Sequence, residues 1–335
     1  MLAASGRPRP IHRFLSGMVT RKALRNVKTN RILVLGAGGM LGNAVFRSFS
    51  ADHQYETVGT LRSSAKKRHF LPRDHGSLIS NLDVRNDGDL TAVFAETRPD
   101  VVVNCVGVIK QLDASRNHLT SLTINASLPH RLAQLSRVAG ARLIHVSTDC
   151  VFSGSKGNYL ESDFADANDL YGRTKFLGEV DYPNAVTLRT SIVGHELESS
   201  KSLVDWFLSQ KGEVRGYKNA VFSGLPAVEL TRVIKEFVIP NDDLRGLFHV
   251  SADPINKFDL LSLVSRVYGK EIDIIADTSV TVDRSLNSDL FRRITGFMPG
   301  PWQELVATMH KSYLKYNQEV AGSKDPSAST DQDCS

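Results

Sequence analysis

One junction constrains this chain more than any other. Arg31-Ile-Leu-Val-Leu35 runs directly into Gly36-Ala-Gly-Gly-Met-Leu-Gly42. The first five residues form a short apolar, β-branched run, which reads as a buried strand. Met40 to Phe49 then shows helical spacing. Glycines at 36, 39 and 42 form G-x-x-G-x-x-G between the two elements, with an extra glycine at 38. Glycine is needed where the chain turns sharply and where backbone must approach a pyrophosphate. The following helix offers unpaired N–H groups and a positive dipole end to that pyrophosphate. A flexible turn is the alternative for an isolated glycine motif, but the strand-turn-helix setting favours dinucleotide binding. Gly36, Gly39, Met40, Leu41 and Gly42 are therefore candidate cofactor residues.

The pattern continues as an alternation. Tyr55–Thr60, Ser77–Leu82, Asp100–Asn104, Ala141–Val146 and Ala185–Arg189 read as further strands. Asp87–Thr97, Asn117–Ala139 and the segment around Tyr171 read as helices, with Pro99 and Gly140 as stops. Strands apolar on both faces, alternating with helices, predict an α/β fold with a doubly wound parallel (Rossmann) sheet over residues 30–195. Beyond about residue 195 the alternation fades into helical segments at Leu203–Gln210, Leu225–Ile239 and Phe258–Tyr268, with a strand at Gly246–Ser251. Residues 196–318 are expected to form mainly a smaller substrate-binding α/β region, with segments near 220–251 returning to the main sheet.

The end of the second strand selects between nicotinamide cofactors: an acid there binds the ribose 2′-OH of NAD, an arginine the phosphate of NADP. Here the chain reads Thr60-Leu-Arg-Ser-Ser-Ala-Lys-Lys67, with no acid before Asp74. Arg62 with Ser63 or Ser64 is thus a candidate 2′-phosphate site, and NADPH is expected, with NADH as the alternative. A solvated basic loop would leave the same pattern.

Past the fifth strand comes Ser147-Thr148-Asp149-Cys150, at the carboxyl end of a parallel strand, where crevices open. A hydroxyl there can stabilise the oxyanion formed as hydride arrives. Tyr171 and Lys175 follow as Tyr-x-x-x-Lys, on one face of a helix. An ammonium beside a phenol is expected to draw the tyrosine pKa down from its usual ~10 and make it a proton donor to a carbonyl.

Taken together, these residues resemble the extended short-chain dehydrogenase/reductase family, and within it the dTDP-4-dehydrorhamnose reductase group. The resemblance rests on the glycine turn, Leu82-Asp-Val84, Asn104-Cys-Val-Gly107, Asn125, Ser147-Thr-Asp149, Tyr171-Gly-Arg-Thr-Lys175, Gly178-Glu179 and Leu188-Arg-Thr-Ser191, and fades after about residue 195. It implies that Tyr171 protonates the nascent alkoxide, Lys175 lowers its pKa and holds the nicotinamide ribose, and Thr148 binds the sugar carbonyl. It further implies that Asp83 and Val84 contact the adenine, that Cys105, Val106 and Gly107 line the cofactor, and that Asn125 supports the proton relay. Ser147, Asp149, Cys150 and Arg284 are the implied substrate-binding residues. The substrate so implied is a 4-keto (6-deoxy) nucleotide sugar. Three departures recut its pocket: Cys150 stands for a tyrosine, Ile192 and Gly194 replace two aromatics, and Arg284-Ser285 lacks a proline.

Composition narrows the rest. At 335 residues with 41% apolar and 23% charged residues the profile is that of a soluble protein, with no apolar run long enough for a membrane span. The cysteines (Cys105, Cys150, Cys334) have no metal-ligand spacing, so no metal is expected and a cytoplasmic setting fits. Residues 1–29 are basic and without an acid, which suits a disordered extension, a transit peptide, a nucleic-acid arm or a start set too early before Met18. The rest is near neutral, so no nucleic-acid partner is expected. The last residues, 319–335, are expected to be a disordered tail, and a homodimer stays open. Two competing readings remain: an epimerase or dehydratase that keeps and recycles its cofactor, and a regulatory subunit that binds dinucleotide without turnover.

Overall fold

The computed structural model describes residues 30–109 and 117–323. The basic run before residue 30 and the stretch from 324, with Cys334, lie outside the described residues. In chain order the strands are β1 (Asn30–Leu35), β2 (Tyr55–Thr60), β3 (Leu78–Ile79), β4 (Val101–Asn104), β5 (Arg142–Thr148), β6 (Ala185–Thr190) and β7 (Ile192–Val193). They continue with β8 (Glu213–Phe222), β9 (Leu225–Pro226), β10 (Gly246–His249), β11 (Ile255–Asn256) and β12 (Asp273–Asp283). The helices are α1 (Met40–Ser50), α2 (Asp87–Thr97), α3 (His118–Ser121), α4 (Leu128–Val138), α5 (Leu170–Leu177) and α6 (Leu203–Ser209). After them come α7 (Ala227–Val233), α8 (Lys257–Tyr268), α9 (Asp289–Thr295) and α10 (Trp302–Gly322).

Seven strands form one sheet in the order β10-β6-β5-β4-β1-β2-β3, and each neighbouring pair is parallel. The doubly wound sheet expected from the alternation is therefore present. Its strands β4 and β6 are buried on both faces, as the unbroken run Val101-Val-Val103 requires. One face packs against α1, α7, α8 and α10, through residues such as Phe46, Leu230, Leu260 and Val306. The other packs against α2 and α4, through Leu90, Phe94, Leu128 and Leu132. Strand order reverses between β1 and β4, and that switch point opens the crevice at the carboxyl ends.

Several expected boundaries shift for identifiable reasons. The expected strand Ser77–Leu82 contracts to Leu78–Ile79, because a 3-10 turn takes Pro72–Ser77 and Asn81 is left-handed at φ 62°. The expected helix Asn117–Ala139 is present as a continuous run from His118 to Val138, with a π-helical turn at Leu122–Ser127 between α3 and α4. Its cap is Asn117, whose side chain accepts from the Thr120 N–H. The tail expected from residue 319 is corrected up to 322. There α10 continues, because one face buries Leu305, Val306, Met309 and Tyr316, with the Arg47 guanidinium 3.4 Å above the Tyr316 ring.

After β6 the chain builds a second layer, β11-β8-β12, with β8 and β12 parallel. Between β8 and β11 it returns to the main sheet, where β10 pairs in parallel with β6 through Gly246–His249 and forms the sheet edge.

Candidate active site

The glycine turn lies at the carboxyl end of β1. Gly36 has φ +82°, the left-handed region, and a Cβ there would sit 3.0 Å from Val106 Cγ2 and 3.3 Å from the Val106 nitrogen. The turn and the Cys105–Gly107 loop after β4 therefore touch across the switch point. At Gly42 a Cβ would collide with the Gly36 carbonyl, so α1 can seat only on glycine. Thr60, at the end of β2, accepts the Gly36 N–H through Oγ1 at 3.1 Å. Gly39 caps α1 without a side-chain hydrogen bond, leaving the N–H groups around Met40, Leu41 and Gly42 to an anion. A residue not singled out from sequence joins this turn: Lys66 donates to the Gly38 carbonyl at 3.1 Å.

On the adenine side, Arg62 and Ser63 are exposed. Ser63 Oγ accepts from the Ala65 N–H and starts a 3-10 turn, so its hydroxyl is committed locally. The Asp83 carboxylate is held by Arg85 at 2.6–3.1 Å, and this bonding brings its pKa down to about 2, with the Arg62 charge adding to the shift. Val84 is partly buried against the α2 face. Asn125, in the π turn, donates to the Val108 carbonyl (3.0 Å) and accepts its N–H (2.8 Å), and also bonds Thr174 at 3.4 Å. It fastens the loop after β4 to α5. Extra-turn segments of this kind recur at functional sites.

Thr148, Tyr171 and Lys175 are brought together where β5 ends against α5. Asp169 caps α5 by accepting the Gly172 N–H at 2.8 Å. Thr148 shares a side-chain hydrogen bond with Tyr171 and also bonds Asp149 at 3.2 Å. The expected effect of Lys175 on the phenol is corrected here. Burial pushes the Tyr171 pKa up, with Cys150 and Asp149 adding and only Thr148 opposing. The Lys175 ammonium instead donates to the Val146 carbonyl at 2.8 Å, and burial lowers its own pKa to about 8. Helical spacing fixes a shared face, but a long side chain chooses its acceptor along it. The buried Cys105 thiol beside Lys175 is pushed up to about 12, so it stays protonated.

Ser147 does not join the crevice. Alternation along β5 turns it to the opposite face, where Oγ donates to Glu179 at 2.6 Å. Glu179 also takes two bonds from Arg189 (2.9 and 2.6 Å), and Arg189 is bonded to His249 at 2.8 Å. Arg189 is 2% exposed, so this is a buried ion pair with each charged atom engaged. The substrate role expected of Ser147 is replaced by a structural one.

The remaining substrate candidates surround Asp149. This carboxylate is 6% exposed, and burial raises its pKa against the lowering charges of Arg284 and Lys257. Arg284 donates from Nε to the Phe152 carbonyl at 2.8 Å. Lys257, from the first turn of α8, was not singled out from sequence; its ammonium lies 4.4 Å above the Phe222 ring. Cys150 acts electrostatically on both Tyr171 and Lys257. Of the recut positions, Gly194 lies elsewhere: a Cβ there would meet Met40 Sδ at 3.3 Å and Ala227 at 3.4 Å, beside the cofactor helix.

Residues 30–314 match the family described as RmlD substrate binding domain. The chain belongs to this family. RmlD-type relatives extend along most of its length. A dTDP-4-dehydrorhamnose reductase from Aggregatibacter actinomycetemcomitans is 23% identical over 298 residues, covering 82% of this chain and 96% of the relative. A methionine adenosyltransferase 2 subunit beta from Danio rerio is 25% identical over 253 residues, covering 71% and 74%. Against the Bos taurus and Xenopus laevis subunits the chain spans less than half of the relative, 43% and 42%. Among solved structures, a Bacillus anthracis dTDP-4-dehydrorhamnose reductase in complex with NADP superposes with a TM-score of 0.69 at 19% identity, covering 85% of this chain and 99% of that one. At that identity the likeness speaks for the RmlD-type fold. Among the described residues no helix is long and apolar enough to cross a membrane, and no group of metal-ligating side chains occurs.

Proposed function

We propose that this chain reduces a 4-keto (6-deoxy) nucleotide sugar with NADPH, in the manner of the dTDP-4-dehydrorhamnose reductases it resembles. The observation that carries the reading is the meeting of Thr148 and Tyr171 at the mouth of the switch-point crevice, beside the loop that touches the glycine turn. The dinucleotide would lie with its pyrophosphate on the open N-terminus of α1 and its ring along Cys105–Gly107. When bound there, it would supply the hydride. Thr148 holds the carbonyl, Tyr171 gives its phenolic proton to the oxygen that becomes an alkoxide, and the Lys175 charge beside them favours the negative oxygen. A phenol kept protonated by burial suits a donor in the reductive direction. Arg62 is our candidate for the 2′-phosphate, with NADH as the weaker donor. A cytoplasmic homodimer completes the proposal, and the mass in solution decides its second half.

The family's methionine adenosyltransferase subunits favour one other reading, a dinucleotide-binding subunit without turnover. Incubating the purified chain with NADPH or NADH and a panel of dTDP- and UDP-linked 4-keto-6-deoxyhexoses separates the two. The expected result is loss of nicotinamide absorbance in step with sugar product, faster with NADPH. Tight NADPH binding with no turnover across the panel would reject the reductase.

A further inference from the structure

Between α1 and α10 lies an open cavity of about 220 Å³, and none of Thr148, Tyr171 and Lys175 lines it. Residues Gly194–Leu197, after β7, and Arg68 with His69, after β2, complete its wall. Most charged groups on that wall are already engaged. Arg68 and His69 each bond Glu198 at 3.0 Å. His195 is held between Asp205 at 2.5 Å and the Tyr268 hydroxyl at 2.8 Å. Glu196 turns to its own loop, where it accepts from the Ser199 hydroxyl and the Lys201 N–H. Two lining groups on α1 are left over. The Arg47 guanidinium lies 3.4 Å above the Tyr316 ring and closes no salt bridge or side-chain hydrogen bond among the described residues. Asp74 and Glu319 act on it only from a distance, and each of them stands 4.0 Å from Arg73. Asn43, one turn earlier, is 6% exposed. Its Nδ2 acts on the Tyr316 phenol but has no hydrogen-bond partner of ordinary length and angle.

What the protein leaves unsatisfied describes the missing group. Residues 43 and 47 are four apart on α1 and share a side of the helix. Both present donors, and one of them carries a charge. A neutral acceptor would leave the guanidinium without a counter-charge, whereas a carboxylate matches its fork. The rest of the wall is apolar: Met40, Ala44, Ala227 and Met309, with the Tyr313 ring. A bare inorganic anion would answer Arg47 and leave that surface uncovered. An apolar cavity of about 150 Å³ holds benzene, so the space here admits a six-membered ring together with its carboxylate.

We propose that this cavity is a second ligand site, taking a small carboxylic acid with a ring-sized apolar body whose carboxylate sits on Arg47 and Asn43. The site is independent of the reductase reading and is not the dinucleotide site. A pyrophosphate would use backbone N–H groups at the start of α1, while this acid would use side chains one and two turns further along.

The test titrates the full chain calorimetrically with benzoate, its neutral counterpart benzamide, and inorganic phosphate, each with and without saturating NADPH. Benzoate is expected to bind one site with a Kd of about 1 mM whether or not NADPH is present. Benzamide should bind about tenfold more weakly, for want of the charge. Arg47→Gln should weaken benzoate about tenfold and leave benzamide unchanged; Asn43→Leu should weaken benzoate about threefold. No benzoate binding, equal binding of benzoate and benzamide, or displacement of benzoate by NADPH overturns the inference. Phosphate binding as tightly as benzoate in an Arg47-dependent way overturns it too, since the site would then take a bare anion. Should Arg47→Gln fail to match wild type in thermal unfolding, Asn43→Leu and the wild-type ratio of benzoate to benzamide decide. Turnover of a keto sugar by Arg47→Gln should stay within about twofold of wild type, so loss of this site and failure of the reductase reading are read separately.

Discussion

The two halves of the site are built differently. On the sheet side, Thr148, Tyr171 and Lys175 are fixed by short elements and by hydrogen bonds to backbone or to one another. On the C-terminal side, Lys257 and Arg284 are charged side chains from a first helical turn and from the residue after β12, whose charges act on Asp149 with no ion pair to it among the described residues. The first arrangement suits a proton transfer that tolerates little displacement. The second suits a pocket that can change its sugar without disturbing the chemistry. Substitutions on the sheet side should therefore act on kcat, and those on the C-terminal side on KM and substrate ratio.

Tyr171→Phe is the sharpest break. It removes the donor and should lower kcat by about 10²–10⁴-fold while NADPH affinity, measured by titration, stays within about twofold. Equal loss of both would mean the phenol is a binding group. Next comes the face behind the site. Glu179→Gln leaves Arg189 buried without its counter-charge and should cost about 3 kcal/mol in denaturant unfolding. If stability holds and only turnover falls, Glu179 belongs to the chemical side after all.

The pH profile is smaller and has a definite sign. Lys175 is charged below its pKa of about 8 and neutral above it. With the ammonium as the working form, kcat/KM for NADPH should fall about tenfold per unit above pH 8. Tyr171, raised by burial, stays protonated across that range. Lys175→Arg keeps the charge and should abolish the alkaline limb, even at reduced rate; a limb that survives would belong to another group. Arg62→Ala gives the smallest effect: NADPH should weaken about tenfold relative to NADH, as for loss of one charge-assisted hydrogen bond. An unchanged ratio would move the phosphate site, with Lys66 the next cation to test.

What was legible in the chain follows the same division. Residues 30–109, with β1 and β4 apolar on both faces and glycines at the turn, announce themselves because burial on both faces leaves no polar alternation to confuse the reading. Thr148, Tyr171 and Lys175 were recognisable by spacing and by resemblance. The direction of the phenol's pKa was not, because spacing cannot say which carbonyl a lysine will choose. Ser147 was misplaced because its neighbour carried the chemistry, and a period-two count along β5 would have turned it away. β8 and β12 escaped notice since their ribbon is largely exposed: Glu213-Val-Arg-Gly-Tyr-Lys alternates weakly, and Asp273–Asp283 buries no residue fully. Lys257 had no motif to mark it. The one available signal was a lysine immediately after the cap Asn256, where an acid would be usual.

The return of β10 to the main sheet carries a consequence for anyone rebuilding this chain. Residues 246–249 supply the edge strand beside β6, and His249 completes the bonding of Arg189. A transplant that exchanges everything after residue 195 in one piece would import a foreign edge and orphan that arginine. Two separate grafts, one before Gly246 and one after His249, would change the pocket and keep the native seam.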